Sequence, residues 1–119
     1  MMKRYFMSES QIQEIELNIK QAEGFIKLAK ALERLEANAD FNELIGNSYF
    51  KEEAIRLVHL KGDHSQQTDE AQKEISNQML AISGLSSYFR IVQMRGDMAA
   101  RALADDEETL AELNAEALH

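Results

Sequence analysis

Apolar residues recur at alternating three- and four-residue steps from Thr68 to Leu103, which is the spacing of a coiled-coil seam. The pattern predicts one long amphipathic helix whose seam is interrupted only by Gln78 and Gly96. Such a helix spans roughly 50 Å, so an equally long helix of this chain or of a second copy must cover its apolar stripe. The seam residues are Ile75, Ile82, Leu85, Phe89, Val92, Ala99 and Leu103.

A second long helix is predicted near the start of the chain, capped at Ser8 or Ser10. Its apolar stripe keeps the same repeat and then shifts by three residues to Leu28, Leu32 and Leu35. Such a shift changes the local winding of a coiled coil and is more typical of a globular bundle than of a rod. The stripe before the shift consists of Ile12, Ile15, Ile19, Ala22, Ile26 and Ala29.

Two shorter helical segments are predicted between the long helices. Asn38 and Asp40 suit the end of the first helix, and Asp40 with Glu43 forms a capping box for a brief apolar segment. The sequence GNS at 46–48 then predicts a break in the chain. The apolar residues of the brief segment are Phe41, Leu44 and Ile45.

The middle helix is predicted to begin at a Ser48 cap and to stop at Gly62. Glu52 lies four residues before Arg56 on its predicted solvent side, which is the spacing of a favourable ion pair. A polar loop follows, and Thr68 at its end is placed to cap the long helix. The predicted buried face of the middle helix carries Phe50, Ala54, Leu57 and Val58.

These elements predict an all-α fold, a long antiparallel helical hairpin with a short middle helix, of the helical-bundle or coiled-coil type. Composition agrees, because the 119 residues include no proline, no cysteine and only 5 glycines. The absence of cysteine excludes disulfides, thiolate metal sites and a cysteine nucleophile. The opening residues lack the apolar core of a signal peptide, and no stretch approaches the ~20 apolar residues of a membrane span. We therefore expect an intracellular protein with no membrane partner.

The pattern at the C-terminal end allows two interpretations. The seam continues in register with Asp106 as a misfit, so the long helix could extend to the C-terminus. Alternatively, Asp105 and Glu108 form a new capping box, and the last residues are an acidic amphipathic tail that docks in a partner's groove. We divide the chain into a helical domain over 1–104 and this tail over 105–119. The apolar residues of the tail are Leu110, Leu113, Ala117 and Leu118.

The formal net charge of -8 is concentrated at the C-terminal end. Residues 1–62 hold nine Lys/Arg against ten Asp/Glu, residues 63–104 hold four against five, and residues 105–119 hold none against six. Neutralising phosphates needs clustered basic residues, and the body of the chain has no such cluster. Nucleic acid is therefore not the expected partner.

The residues that usually carry catalysis do not form a recognisable pattern. His59 has Arg56 three residues before it, so the Glu-x-x-His spacing of di-iron bundles is missing, and we expect a partly buried structural residue. His64 stands beside Asp63 in the loop, where two potential ligands do not make a metal site, and His119 is the third imidazole. Phosphate-binding glycine loops and nucleophile elbows are also missing. We expect no enzyme, no cofactor and no metal.

Two Ser-Tyr-Phe stretches bring aromatic residues onto the predicted helices. Phe50 and Phe89 fit the buried faces, and Tyr49 and Tyr88 fit the rim, where a hydroxyl reaches water. The alternative is a contact surface, because aromatic, Met and Arg side chains are enriched at protein interfaces. The predicted contact residues are Tyr88, Arg90, Met94 and Arg95, with Leu110 and Leu113 in the tail.

The run LERLEANADFNELIGNSYFKEEAIRLVHLK at 32–61, followed by a polar loop and ISGLSSYFRIVQMRGDMA at 82–99, resembles small helical proteins encoded by tailed bacteriophages. The resemblance covers Leu32 to Leu103, and its most distinctive piece is SYFKEEAIRLVHLK at 48–61. No catalytic residues are associated with it. The resemblance implies a phage setting, with the host cytoplasm and the virion as locations, and a role in virion structure or assembly.

The leading hypothesis is a non-enzymatic, self-associating helical protein that also binds a capsid, portal or tail component. A second hypothesis is an early phage protein that inhibits a host factor by placing its acidic tail in a basic nucleic-acid site. A third, a helical DNA-binding protein, depends only on the scattered Arg90, Arg95 and Arg101.

Overall fold

The computed structural model describes residues 2–117, with side chains for residues 9–116. The predicted fold class is confirmed: the chain is all-α, with two long antiparallel helices and a short middle helix, and no strand occurs in the described range. Leu118 and His119 lie outside the described residues. The elements are α1 (Met2–Glu36), α2 (Ala39–Phe41), a π-helix (Asn42–Glu53), α3 (Ala54–Lys61), a 3₁₀ turn (His64–Gln66) and α4 (Asp69–Ala117).

The chain forms two compact units, which are described separately. The terminal unit consists of α1 up to Ala31 and of α4 from Val92 onward. The middle unit comprises Leu32–Ile91. Both long helices contribute to both units, because neither is interrupted at the boundary.

The predicted seam of α4 is confirmed and continues beyond Leu103. Gln78, Gly96 and Asp106, which interrupt the apolar pattern, occupy seam positions and are themselves buried or half-buried. The helix runs to Ala117, so the alternative of a separate helix capped by Asp105 is wrong, while the domain division at 104 stays a prediction. The buried and half-buried seam positions are Ile75, Gln78, Ile82, Leu85, Phe89, Val92, Gly96, Ala99, Leu103, Asp106, Leu110 and Leu113.

The first helix departs from the sequence prediction at its start and in its last turns. It begins at Met2, before the predicted serine caps. Leu32 is buried as predicted, but Leu28 and Leu35 are exposed, so the predicted shift of the stripe to these two leucines is wrong. The three-residue step from Ala29 to Leu32 turns the buried stripe by only ~60° about the helix axis. Leu32 therefore continues the stripe of Ala29 without a change to a new face.

Two asparagines organise the junction after α1. The side-chain oxygen of Asn38 accepts a hydrogen bond from the Phe41 amide at 3.0 Å, so Asn38 is the N-cap of α2 and the predicted Asp40 cap is wrong. The side-chain amide of Asn42 donates a hydrogen bond to the backbone carbonyl of Glu36 at 2.6 Å. The free backbone groups of the two helix ends are thereby satisfied across a short turn.

The segment Asn42–Glu53 is a π-helix, in which backbone hydrogen bonds span five residues. The predicted break at 46–48 and the predicted Ser48 cap are therefore wrong, because the backbone is helical throughout. Each π-turn holds more residues than an α-turn, so half-buried positions recur at every fourth or fifth residue. Val58, predicted to lie on the buried face, is exposed, and so is Leu44 of the brief apolar segment. The half-buried residues of this stretch include Phe41, Ile45, Tyr49, Phe50 and Ala54.

The core of the middle unit forms where α3 meets α4. Leu57 is completely buried and packs with Ile75 and Ile82, as the seam predicts. Partly buried residues surround this centre, namely Tyr49, Phe50, Ala54, Leu60 and Met79.

An aromatic cluster continues the packing of the middle unit, with Phe89 at its centre. The Phe89 ring lies 6.0 Å from Phe41, 5.9 Å from Phe50 and 6.3 Å from Tyr88, measured between ring centroids. Tilted and edge-on rings at these separations attract each other beyond simple burial. The predicted arrangement is confirmed for Phe50 and Phe89, which are half-buried, and for Tyr88 at the exposed rim, whereas Tyr49 is half-buried and packs against the core of the middle unit.

The connection from α3 to α4 follows the sequence prediction. Gly62 is the C-cap of α3, and the Thr68 hydroxyl accepts a hydrogen bond from the Ala71 amide at 3.1 Å. Asp63 accepts from both the backbone amide and the hydroxyl of Ser65, each at 2.8 Å. These bonds, the backbone one above all, lower the pKa of Asp63 below its ordinary value.

One predicted ion pair is replaced by another. Arg56 binds Glu53 with two nitrogens, its Nε lying 3.0 Å from Oε2, and the pair predicted with Glu52 is wrong. The hydrogen bond from Arg56 lowers the pKa of the Glu53 carboxyl. Because the pair is solvent-exposed, it adds little to stability.

Candidate protein-interaction surface

The buried residues of the terminal unit are few and mostly small. Among its residues with described side chains, they are Ala22 on α1 and Val92, Gly96 and Ala99 on α4. Larger seam residues of both helices are half-buried, among them Ile19, Ile26 and Leu103. A half-buried side chain removes less apolar area from water than a buried one, so it contributes only part of its hydrophobic stabilisation.

The small core results from a very close approach of the two backbones. A Cβ atom added at Gly96 would overlap the Cβ of Ala29 and would lie 3.6 Å from the carbonyl oxygen of Phe25. Only glycine at 96 leaves room for this contact. Large side chains are thereby excluded from this point of contact between the helices.

Several large apolar side chains of the terminal unit lie outside its seam. Met98 is 61% exposed and Leu17 is 58% exposed, although both are large enough to anchor a core. Scattered exposed apolar residues are normal, whereas a group of them on one face indicates a binding surface. We call this group the terminal apolar face; it comprises Leu17, Phe25, Leu28, Met94 and Met98.

Phe25, Leu28 and Met98 of the terminal apolar face lie on one side of the helix pair. The Arg95 guanidinium lies over the Phe25 ring at 5.7 Å, which places these two residues on the same side of the seam. Leu28 lies three residues after Phe25, and Met98 three residues after Arg95, so each continues that side by one helical step. The face therefore includes both helices.

An acidic stripe continues the α4 part of this face. Asp105 and Glu112 follow Met98 by seven and fourteen residues, which is two and four helical turns, and both are exposed. Residues 105–116 contain six carboxylates and no Lys or Arg. The terminal unit thus presents an apolar surface bordered on one side by negative charge.

The predicted contact residues do not form one site. Tyr88 and Arg90 belong to the middle unit, where Tyr88 contacts Phe89 and Arg90 donates to the Ser87 hydroxyl at 3.3 Å. Met94 and Arg95 belong to the terminal unit, where Met94 is 54% exposed. Of the six predicted residues, these last two fall in or beside the terminal apolar face.

Leu110 and Leu113 are half-buried at seam positions of α4. Their apolar side chains therefore extend the packing of the terminal unit and are not free to dock in a partner's groove. They do not belong to a separate helix, because α4 continues through them, while their role as protein contacts stays a prediction.

Four residues of the surface escaped sequence reasoning: Leu17, Phe25, Leu28 and Met98. The spacing from 17 to 25 to 28 on α1 already marks one helix face, separate from the seam. The informative signal is the presence of large apolar residues off the seam, next to seam positions that include the small residues Ala22, Ala29, Gly96 and Ala99.

No group of three or more potential metal ligands occurs among the described residues. His59 is exposed, so the expectation of a partly buried residue is wrong, while His64 is exposed in the loop as expected. Within residues 2–117, no helix combines the length and the apolar character needed to cross a membrane.

Comparison of the chain with protein-family models, with curated proteins and with solved structures finds no match.

Proposed function

We propose that this chain is a non-enzymatic helical protein that self-associates through the terminal apolar face and acts in virion structure or assembly of a tailed phage. The observation that supports self-association is the exposure of five large apolar side chains in the terminal unit, beside a seam whose closest contact is made by small residues. Gly96 and Ala99 are buried, whereas Met94 and Met98 are exposed. The phage setting comes from the sequence resemblance.

A second copy supplies what the terminal unit lacks. Two helix pairs placed face to face make a four-helix arrangement whose new core consists of the exposed large side chains. Each partly exposed Leu, Met or Phe gains about 1 kcal/mol on complete burial, so ten of them in a symmetric pair offset the entropic cost of association. We expect a dissociation constant of about 10–100 µM.

Sedimentation equilibrium of the full chain from about 1 to about 500 µM tests the proposal, since this range brackets the expected constant. The double variant Met94→Gln with Met98→Gln keeps helix propensity, because Met and Gln are similar helix formers. We expect this variant to associate at least about tenfold more weakly, the equivalent of about 1.4 kcal/mol.

Leu80→Gln is the matched control. Leu80 is 68% exposed on the same helix but belongs to the middle unit, outside the terminal apolar face. Its association is expected to equal that of the parent chain. A chain that stays monomeric throughout the range, or a methionine double variant that associates normally, would remove the proposal.

The assembly role has its own test. Peptide mass spectrometry of purified particles detects a structural component directly. Its absence from particles, combined with no binding to capsid, portal or tail proteins, would leave self-association without this role.

A second candidate function is inhibition of a host factor through the acidic end of α4. Deleting this end would also remove Leu110 and Leu113 from the seam, so neutralising its exposed carboxylates with Asn and Gln is the cleaner test. Inhibition that survives neutralisation would discard this candidate. The exposed carboxylates are Asp105, Glu107, Glu108, Glu112 and Glu116.

A further inference from the structure

We draw no further inference here: the strongest candidate, the terminal apolar face on α1 and α4, belongs to the surface already proposed for self-association, and nothing in the structure shows how a second molecule would lie on it.

Discussion

Gly96 of α4 faces Ala29 of α1 so closely that a Cβ atom at 96 would overlap the Cβ of Ala29. The atom in the way belongs to a residue with no side-chain freedom, so the contact can be relieved only by moving a helix. This single position therefore fixes how closely the helices of the terminal unit approach. Large side chains therefore pack only at the seam positions away from this contact, such as Ile19 and Leu103.

Gly96→Ala is expected to destabilise the protein. Alanine improves helix propensity by about 1 kcal/mol, but forcing a methyl group into a filled contact costs about 1–3 kcal/mol. We expect a net loss of about 1 kcal/mol in the free energy of unfolding, measured by urea denaturation at one fixed protein concentration. The double variant Ala29→Gly with Gly96→Ala is expected to relieve the overlap and recover part of the loss.

Gly84→Ala provides the matched control on the same helix. No atom lies within 4 Å of a Cβ added at Gly84, so only the propensity gain remains. The free energy of unfolding is expected to rise by up to about 1 kcal/mol. If Gly84→Ala and Gly96→Ala changed stability in the same direction, the close helix contact at 96 would be refuted.

Phe89→Ala is expected to weaken the middle unit. The substitution removes three ring contacts, to Phe41, Phe50 and Tyr88, and leaves a space at the centre of the aromatic cluster. Because Phe89 is only half-buried, we expect a loss of about 2–3 kcal/mol in the free energy of unfolding, below the range for a fully buried phenylalanine. Tyr88→Ala, which removes one contact from the exposed rim, should cost less than half as much, and equal losses would contradict the central position of Phe89.

The sequence pattern predicts the seam of α4 well because periodicity depends on position rather than on residue type. Gln78, Gly96 and Asp106 interrupt the apolar pattern, yet each takes its place in the seam. A seven-residue repeat sustained over many turns tolerates individual exceptions, since their neighbours on both sides fix the face. The same regularity supports the continuation of α4 through Leu110 and Leu113.

The middle segment could not be predicted in the same way. Residues 46–48 combine glycine, asparagine and serine, which ordinarily indicates a break, but these residues lie inside the π-helix. The wider turns of the π-helix change which residues share a face, so the α-helical period does not predict that Leu44 is exposed. Asn38 and Asp40 are both suitable cap residues, and the Phe41 amide donates its hydrogen bond to Asn38.

The sequence names only part of the proposed surface. Met94 and Arg95 were identified from composition alone, because Met and Arg are frequent at interfaces. To assign Phe25 and Leu28 to this surface, one must know which side of the seam the two helices share. The contact between Arg95 and Phe25 gives this information. Sequence periodicity defines a face for each helix but not which faces two helices share.

Gln72→Ala is expected to loosen the connection between α3 and α4. The Gln72 amide donates to the carbonyls of Lys61 and Gln66, both at 2.9 Å, and Gln67 donates to the same Lys61 carbonyl at 3.0 Å. Loss of two hydrogen bonds costs roughly 1–2 kcal/mol, reduced by solvent because the site is only partly buried. Faster amide hydrogen exchange confined to the connection would confirm the local effect. Unchanged exchange would show that Gln72 does not hold the connection.

The pH dependence of stability includes a contribution from Asp63. The amide and hydroxyl of Ser65 donate to its carboxylate, which lowers the pKa of Asp63 in the folded chain. A lowered folded pKa stabilises the folded state fully above the ordinary pKa of aspartate, and this contribution is lost as pH falls through the lowered value. Asp63→Asn should therefore remove part of the acid sensitivity in that window while keeping an oxygen acceptor for the turn.

Ser65→Ala separates the two causes of the lowered pKa. The substitution deletes the hydroxyl but keeps the backbone amide, which is the larger cause. Carbon-detected NMR titration of the Asp63 carboxyl is expected to show a pKa that rises partway toward the ordinary value and remains below it. A complete return to the ordinary value would assign the shift to the hydroxyl, and the backbone bond of the turn would then have no electrostatic role. No change at all would instead leave the amide as the sole cause, because it is the one donor that both proteins share.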